Sequence, residues 1–112
     1  MHRGEIWLVN LNPTVGTEIS KTRPCIIVND DAVGILPLKV IVPITDWKDS
    51  YAARPWMVRL EPNIENSLVK VSAIDTFQIR SVSERRLIRK LGELSDSSML
   101  LVSQALATVL SL

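Results

Sequence analysis

Val15-Gly16-Thr17-Glu18, then Lys21-Thr22-Arg23-Pro24-Cys25-Ile26-Ile27-Val28 and, beyond one more turn, Val42-Pro43-Ile44-Thr45 decide how this chain folds. A turn feeds an apolar run, and a second apolar run ends in a threonine. Short apolar runs bounded by turn residues read as buried strands. Glu18, Arg23 and Thr45 each stand where a strand begins or ends. Packing residues occupy strand interiors, whereas polar groups at strand ends can converge on one surface. The planar fork of Arg23 suits a phosphate and offers little apolar packing.

Outward from that stretch the same grammar continues. Glu5-Ile6-Trp7-Leu8-Val9 is β-rich and predicts a first strand, stopped by Asn10-Leu11-Asn12-Pro13. Pro24–Asn29 predicts the second strand; proline is tolerated at a strand's first position. Leu38–Thr45 predicts the third, with Pro43 marking an edge or bulge. Asp46–Arg54 reads as an exposed loop and Pro55–Glu61 as a fourth strand. Leu68–Ser72 and Phe77–Ile79 read as short strands, Ser83–Arg86 as one helical turn, and Ile88–Leu94 as a last strand. From Ser95 the period changes: Ser95 or Asp96 can cap, and Met99, Val102, Leu106 and Val109 recur at helical spacing. Leu101, Ala105 and Leu112 lie on the other side of that helix, so it should be covered from more than one direction. Short strands without intervening helices, then one helix, predict a mainly β fold, a small antiparallel barrel with a docked C-terminal helix.

The 112 residues leave room for one domain, residues 1–112, around one core. A content of 46% hydrophobic residues argues against disorder. The net charge is only +1, so any attraction to nucleic acid must come from local clusters. No apolar run approaches the roughly 20 residues of a membrane span, and the N-terminus lacks the apolar stretch of a signal peptide. One cysteine makes neither an internal disulfide nor a cysteine-based zinc site, and Cys25 falls in an apolar strand. The chain therefore reads as a reduced, cytoplasmic protein. Four isolated glycines form no phosphate loop. One histidine, His2, supports neither a Ser-His-Asp triad nor a two-histidine ribonuclease mechanism. No cofactor or metal is expected, so any chemistry falls to Arg, Glu, Asp, Ser, Thr or Lys.

Gly4-Glu5-Ile6-Trp7, Asn12-Pro13 followed by Gly16-Thr17-Glu18, and Arg23-Pro24-Cys25-Ile26-Ile27-Val28 resemble the MazF/PemK family of toxin endoribonucleases. Val42-Pro43-Ile44-Thr45, Asp75-Thr76-Phe77-Gln78-Ile79-Arg80 and Leu94-Ser95 resemble later blocks of that family, in order over nearly the whole chain. The resemblance implies an SH3-like barrel of the MazF/PemK/CcdB kind and a homodimer. It also implies metal-independent, sequence-specific cleavage of single-stranded messenger RNA and neutralisation by a cognate antitoxin of a type II toxin–antitoxin system. Cleavage through the RNA's own 2′-hydroxyl would leave a 2′,3′-cyclic phosphate or 3′-phosphate and a 5′-hydroxyl. Two departures stand out: Ile19 replaces a glutamine common among relatives, and Thr76-Phe77 sits inside the Asp-Gln-Ile-Arg block.

Carried over residue by residue, the resemblance makes Arg23 the catalytic arginine, stabilising charge on a phosphorane's nonbridging oxygens. Thr45 becomes a catalytic threonine whose hydroxyl donates to the phosphate or holds the 2′-oxygen. Glu18 acts as general base or holds Arg23 in position. Lys21 and Thr22 would touch RNA backbone. Trp47, in the loop with Tyr51, Lys48 and Arg54, would stack on an unpaired base. Trp56 alternates with strand residues and fits core or interface. Gln78 and Arg80 lie near the substrate groove, with Arg80 alternatively an ion-pair partner of Asp75. The antitoxin is expected to carry a disordered acidic tail that competes for the RNA groove. A competing function is a CcdB-like gyrase poison without RNA cleavage, which would share the barrel. Its helix end would carry an aromatic, whereas this chain ends in Ser111-Leu112.

Overall fold

Cys25, Ile26, Ile27 and Val28 are all buried, because the sheet to which they belong is covered on both faces. In the computed structural model, which describes residues 1–112, seven strands precede one helix. They are β1 (Glu5–Asn10), β2 (Thr22–Ile27), β3 (Leu38–Asp46), β4 (Met57–Leu60), β5 (Ser72–Asp75), β6 (Arg80–Ser83) and β7 (Leu87–Glu93), then α1 (Asp96–Leu110). The strands are antiparallel in the order β4-β5-β3-β2-β1-β7, with β6 also on β3. The sheet does not close, since β4 and β7 are its two ends; the antiparallel architecture with a terminal helix is as the sequence predicts.

Side-chain alternation divides the apolar run of β2 between two cores. Ile26 joins Ile6, Val42, Ile44 and Ile74 against Val102 and Ala105 of α1. Cys25 and Ile27 join Val9, Leu11, Ile41, Val82 and Leu87 on the opposite side. Ser95 caps α1, its hydroxyl accepting from the Ser98 N–H at 3.2 Å. Only the inner side of α1 is covered: Leu100, Leu101 and Leu110 face outward in the single chain. No helix is long and apolar enough to cross a membrane.

The long strand β3 organises the site. Leu38–Ile41 pairs with β6, Ile44–Asp46 pairs with β5, and Ile41–Pro43 pairs with β2 on the other edge. Val42 and Pro43 fall in the gap between the β6 and β5 ladders. The chain between those ladders, Thr76–Gln78, makes a 3-10 turn that bridges the gap.

Two expected strands are replaced by turns, each with a local polar cause. At Leu68–Ser72 only Ser72 is in a strand. Upstream, the Oδ1 of buried Asn66 accepts from the Asn63 and Leu68 N–H groups, at 3.0 Å each, and so wraps the backbone into a turn. At Phe77–Ile79 the Asp75 carboxylate accepts from the Phe77 N–H at 3.2 Å, and the Thr76 hydroxyl donates to the Trp56 carbonyl at 2.6 Å. Those bonds turn the chain and leave Phe77 67% exposed. The predicted Asp46–Arg54 loop contains a 3-10 turn over Asp49–Ala53, and the predicted helical turn is a 3-10 turn over Glu84–Arg86.

Candidate active site

A groove of about 580 Å³ opens where the β1–β2 loop faces the β5–β6 turn. Thr17, Glu18 and Ile19 form one wall, Asp75 and Phe77 to Arg80 the other, and Arg54, Trp56 and Met57 complete the lining. Leu11 and Pro43 contribute apolar floor. Of the residues singled out in the sequence, Glu18, Gln78 and Arg80 line this groove; Arg23, Thr45, Lys21, Thr22 and Trp47 do not.

Arg23 and Thr45 lie just beyond the end of the β2–β3 ladder. β2 and β3 pair Cys25 with Pro43, and Ile27 with Ile41. Arg23 stands two residues before Cys25 on β2, and Thr45 two residues after Pro43 on β3. Thr45 in turn pairs with Ala73, and the residue after next on β5 is groove-lining Asp75. Strand residues two apart share a face and are separated by about 6.5 Å. Thr45 therefore shares a strand face with groove-lining Pro43, and Arg23 shares one with Cys25. Both are half-buried, and the Arg23 Nε donates to the Ser20 carbonyl at 3.3 Å, which leaves its terminal nitrogens uncommitted.

The loop wall is held by side chains rather than by sheet bonds. The Gln78 carbonyl oxygen accepts from the Ile19 N–H at 2.6 Å, and its amide nitrogen donates to the Thr17 carbonyl at 3.3 Å. Gln78 thus clasps the loop across the groove. Arg80 donates to the Leu11 carbonyl at 3.2 Å, and Arg86 to the Asn10 carbonyl at 3.2 Å. No ion pair joins Arg80 to Asp75; the Leu11 carbonyl has that role. Lys21 is exposed, with a left-handed φ of 69°, and its N–H is fixed by the Asn12 side chain at 3.0 Å. Thr22 is exposed at the start of β2, opposite Asn10. The Glu18 carboxylate accepts from the Val15 N–H at 3.1 Å and makes no ion pair with Arg23.

The aromatic residues are arranged differently from expectation. Trp47 packs edge-on against Tyr51 at 5.9 Å, and the Arg59 guanidinium lies 5.2 Å from its ring centre. The ring pair that borders the groove is Trp56 with Phe77, 5.8 Å apart at 65°. Asp75, Phe77 and Arg54 are groove residues to which sequence reasoning gave no direct site role; the Thr76-Phe77 interruption of the block was the available signal. Burial pushes the Asp75 carboxyl above its ordinary range, against the opposing pull of the Phe77 and Gln78 hydrogen bonds. Burial likewise pushes the Cys25 thiol up to about 12, which fits a small core hydrophobe. No three His, Cys, Asp or Glu side chains gather as metal ligands.

A family model for PemK-like, MazF-like toxins of type II toxin–antitoxin systems matches residues 2–110. The chain belongs to this toxin family. Among curated relatives, endoribonuclease MazF9 of Mycobacterium tuberculosis is 30% identical over 118 positions, spanning 100% of this chain and 98% of its own. Endoribonuclease MazF of Staphylococcus epidermidis is 35% identical over 113 positions, spanning 100% and 92%. The solved structure of MazF from Deinococcus radiodurans matches with a TM-score of 0.83 at 23% identity, over 100% of this chain and 97% of that one. A mycobacterial endoribonuclease in complex with its cognate antitoxin matches with a TM-score of 0.79 at 23% identity, over 100% and 96%. At those identities the structural matches speak to the fold.

Proposed function

We propose that this toxin is a sequence-specific endoribonuclease that cuts single-stranded messenger RNA without a metal, using the RNA's 2′-hydroxyl as nucleophile. What supports the reading is a groove lined by Glu18, Gln78 and Arg80, with half-buried Arg23 and Thr45 each two residues beyond the last β2–β3 pair, Cys25 with Pro43. The named activity of the curated relatives supports it. In the reaction the 2′-oxygen attacks phosphorus, the bond from phosphorus to the 5′-oxygen breaks, and a proton reaches the departing 5′-oxygen from solvent. The products are a 2′,3′-cyclic phosphate, or a 3′-phosphate after hydrolysis, and a 5′-hydroxyl. The free terminal nitrogens of Arg23 stabilise charge on the nonbridging oxygens as the phosphorane forms. The Thr45 hydroxyl donates to the phosphate or holds the 2′-oxygen. Glu18, at the loop wall, takes the 2′-proton or supports Arg23 once RNA reorders the loop.

Lys21 and Thr22 flank Arg23 and contact the RNA backbone, while Arg54 and Arg80 draw phosphates into the groove. Trp47 remains a stacking surface only if RNA extends along β3 past Thr45. The toxin acts in the cytoplasm as a homodimer and is neutralised by a cognate antitoxin whose disordered acidic tail competes with RNA for the groove.

The test is cleavage of single-stranded RNA in EDTA with analysis of the new ends. A cyclic phosphate and a 5′-hydroxyl are expected, and 2′-deoxy substitution at the cleaved nucleotide should abolish the cut. Efficient cutting of the deoxy substrate would sink the mechanism. Arg23→Ala should lower activity by on the order of 10²–10³ with the fold intact.

A further inference from the structure

The 3-10 turn Thr76–Gln78 holds one apolar ring out of the core. Thr76 is buried, and its hydroxyl and N–H both donate to the Trp56 carbonyl, at 2.6 and 3.3 Å. The Asp75 carboxylate caps the turn, accepting from the Phe77 N–H at 3.2 Å and from Gln78. Gln78 is itself committed to the β1–β2 loop through Ile19 and Thr17. These bonds fix the backbone on both sides of Phe77 while its side chain stays in solvent. Of the five aromatic residues, Trp7, Trp47, Tyr51 and Trp56 are half-buried, and Phe77 alone is exposed. An apolar ring gains nothing from water, yet a turn bonded on both sides keeps this one there. It lines the groove, where Trp56, 5.8 Å away and tilted at 65°, braces it. Arg54 and Arg80 line the same groove. A preordered aromatic ring with cationic side chains in the same groove suits single-stranded RNA, whose unpaired bases offer π-faces and whose backbone offers charge.

We propose that Phe77 is a substrate-binding residue on which one unpaired RNA base stacks. This rests on the endoribonuclease reading of the groove and adds a base subsite to it. Stacking tolerates any base, because every base has a π-face. Phe77 therefore supplies affinity and register at one nucleotide, and the choice of base falls to polar groups elsewhere in the groove. Its fixed backbone matters, since a side chain already ordered loses little freedom when a base settles on it. Trp47 has a different setting: it is half-buried, with Tyr51 and the Arg59 guanidinium already packed about its ring.

The experiment is a cycle between Phe77 and single nucleotides of a bound RNA. The probe is a single-stranded oligonucleotide selected for binding from a randomised 2′-fluoro library, which has no 2′-hydroxyl to attack and so stays whole. Each nucleotide in turn is replaced by an abasic one, and binding is read by fluorescence anisotropy. At one position the replacement should weaken wild-type binding about 10- to 100-fold. Phe77→Ala should weaken binding of the intact probe by a similar factor and lose nothing more from the abasic replacement there, while losses at other positions persist. Phe77→Tyr, which keeps the π-face, should bind like wild type. Since the ring is exposed, both variants should melt at the wild-type temperature.

Additive losses at every position, or a folded Phe77→Tyr protein as weak as Phe77→Ala, overturn the proposal. A Phe77→Ala protein that binds the probe normally but sediments as a monomer where wild type is a dimer also overturns it, because the ring then belongs to the contact between two copies. Cleavage of RNA by wild type without this coupling removes the stacking alone. Coupling in a wild type that cuts no RNA removes the nuclease reading and leaves the stacking in place.

Discussion

The hydroxyl of Thr45 and the missing side chain of Gly92 show how differently single residues can matter here. Thr45 is half-buried at the end of β3 and pairs with Ala73. Thr45→Val keeps its shape and β-branching, so stability should hold while RNA cleavage falls about tenfold, the worth of one hydrogen bond. Unchanged cleavage by a folded Thr45→Val protein would remove the residue from the site. Gly92 has the opposite role. A Cβ there would lie 2.4 Å from the Glu65 carbonyl oxygen and 2.8 Å from the Asn66 carbonyl carbon. These are backbone atoms, and the Glu93 N–H donates to that same Glu65 oxygen at 2.8 Å. Gly92→Ala should therefore lower the free energy of unfolding by about 1–3 kcal/mol, read from the urea midpoint, with cleavage by the folded fraction unchanged. Arg23 and Thr45 were legible as candidate site residues because a polar side chain at the end of an apolar run has no packing role. Asp75 was legible only as a possible partner of Arg80, because its role in capping the Thr76–Gln78 turn depends on how the next three residues fold.

At the scale of elements, apolar runs located β1, β2 and β3 to within a residue or two, because a sheet buried on both faces shows as unbroken hydrophobic sequence. The same signal failed at Leu68–Ser72 and Phe77–Ile79, where side chains of Asn66, Asp75 and Thr76 capture backbone groups that a strand would have used. Capture of this kind leaves little trace in hydrophobic periodicity. The β1–β2 loop was legible as a loop, but its attachment was not, since Gln78 lies 59 residues from Ile19. That attachment makes a prediction. Gln78→Ala removes both bonds of the clasp, so the Ile19 amide should lose its hydrogen-exchange protection while amides of β2 and β3 keep theirs. Cleavage should fall as well, because Glu18 would no longer be held beside the groove. Full protection of Ile19 in the variant would mean that the loop is fixed by something other than Gln78.

For the whole molecule, acid stability turns on Glu5, which sits at the start of β1. Burial alone would raise its carboxyl, but hydrogen bonds from the Trp7 indole and the His2 N–H, with Lys90 nearby, lower it from 4.5 to about 2. A carboxylate depressed in the folded state contributes stability that is fully present above its unfolded value and is lost as pH falls through the folded one. The melting temperature should therefore decline between about pH 4.5 and pH 2. Glu5→Gln should be less stable at neutral pH and show a flatter decline over that window; a wild-type slope in the variant would contradict this assignment. Assembly is the other property of the whole. The outward leucines of α1, the exposed Val33, Ile35 and Leu36 between β2 and β3, and Leu38 at the start of β3 leave large side chains in solvent. A small monomer gains nothing by exposing so many, whereas a second copy could bury them. Sedimentation at micromolar concentration should thus give a dimer mass, and replacing Ile35 and Leu36 together, or Leu100 and Leu101 together, with glutamate should yield a folded monomer in at least one case. A monomeric wild type, or a dimer that survives both paired substitutions, would exclude these surfaces as the interface.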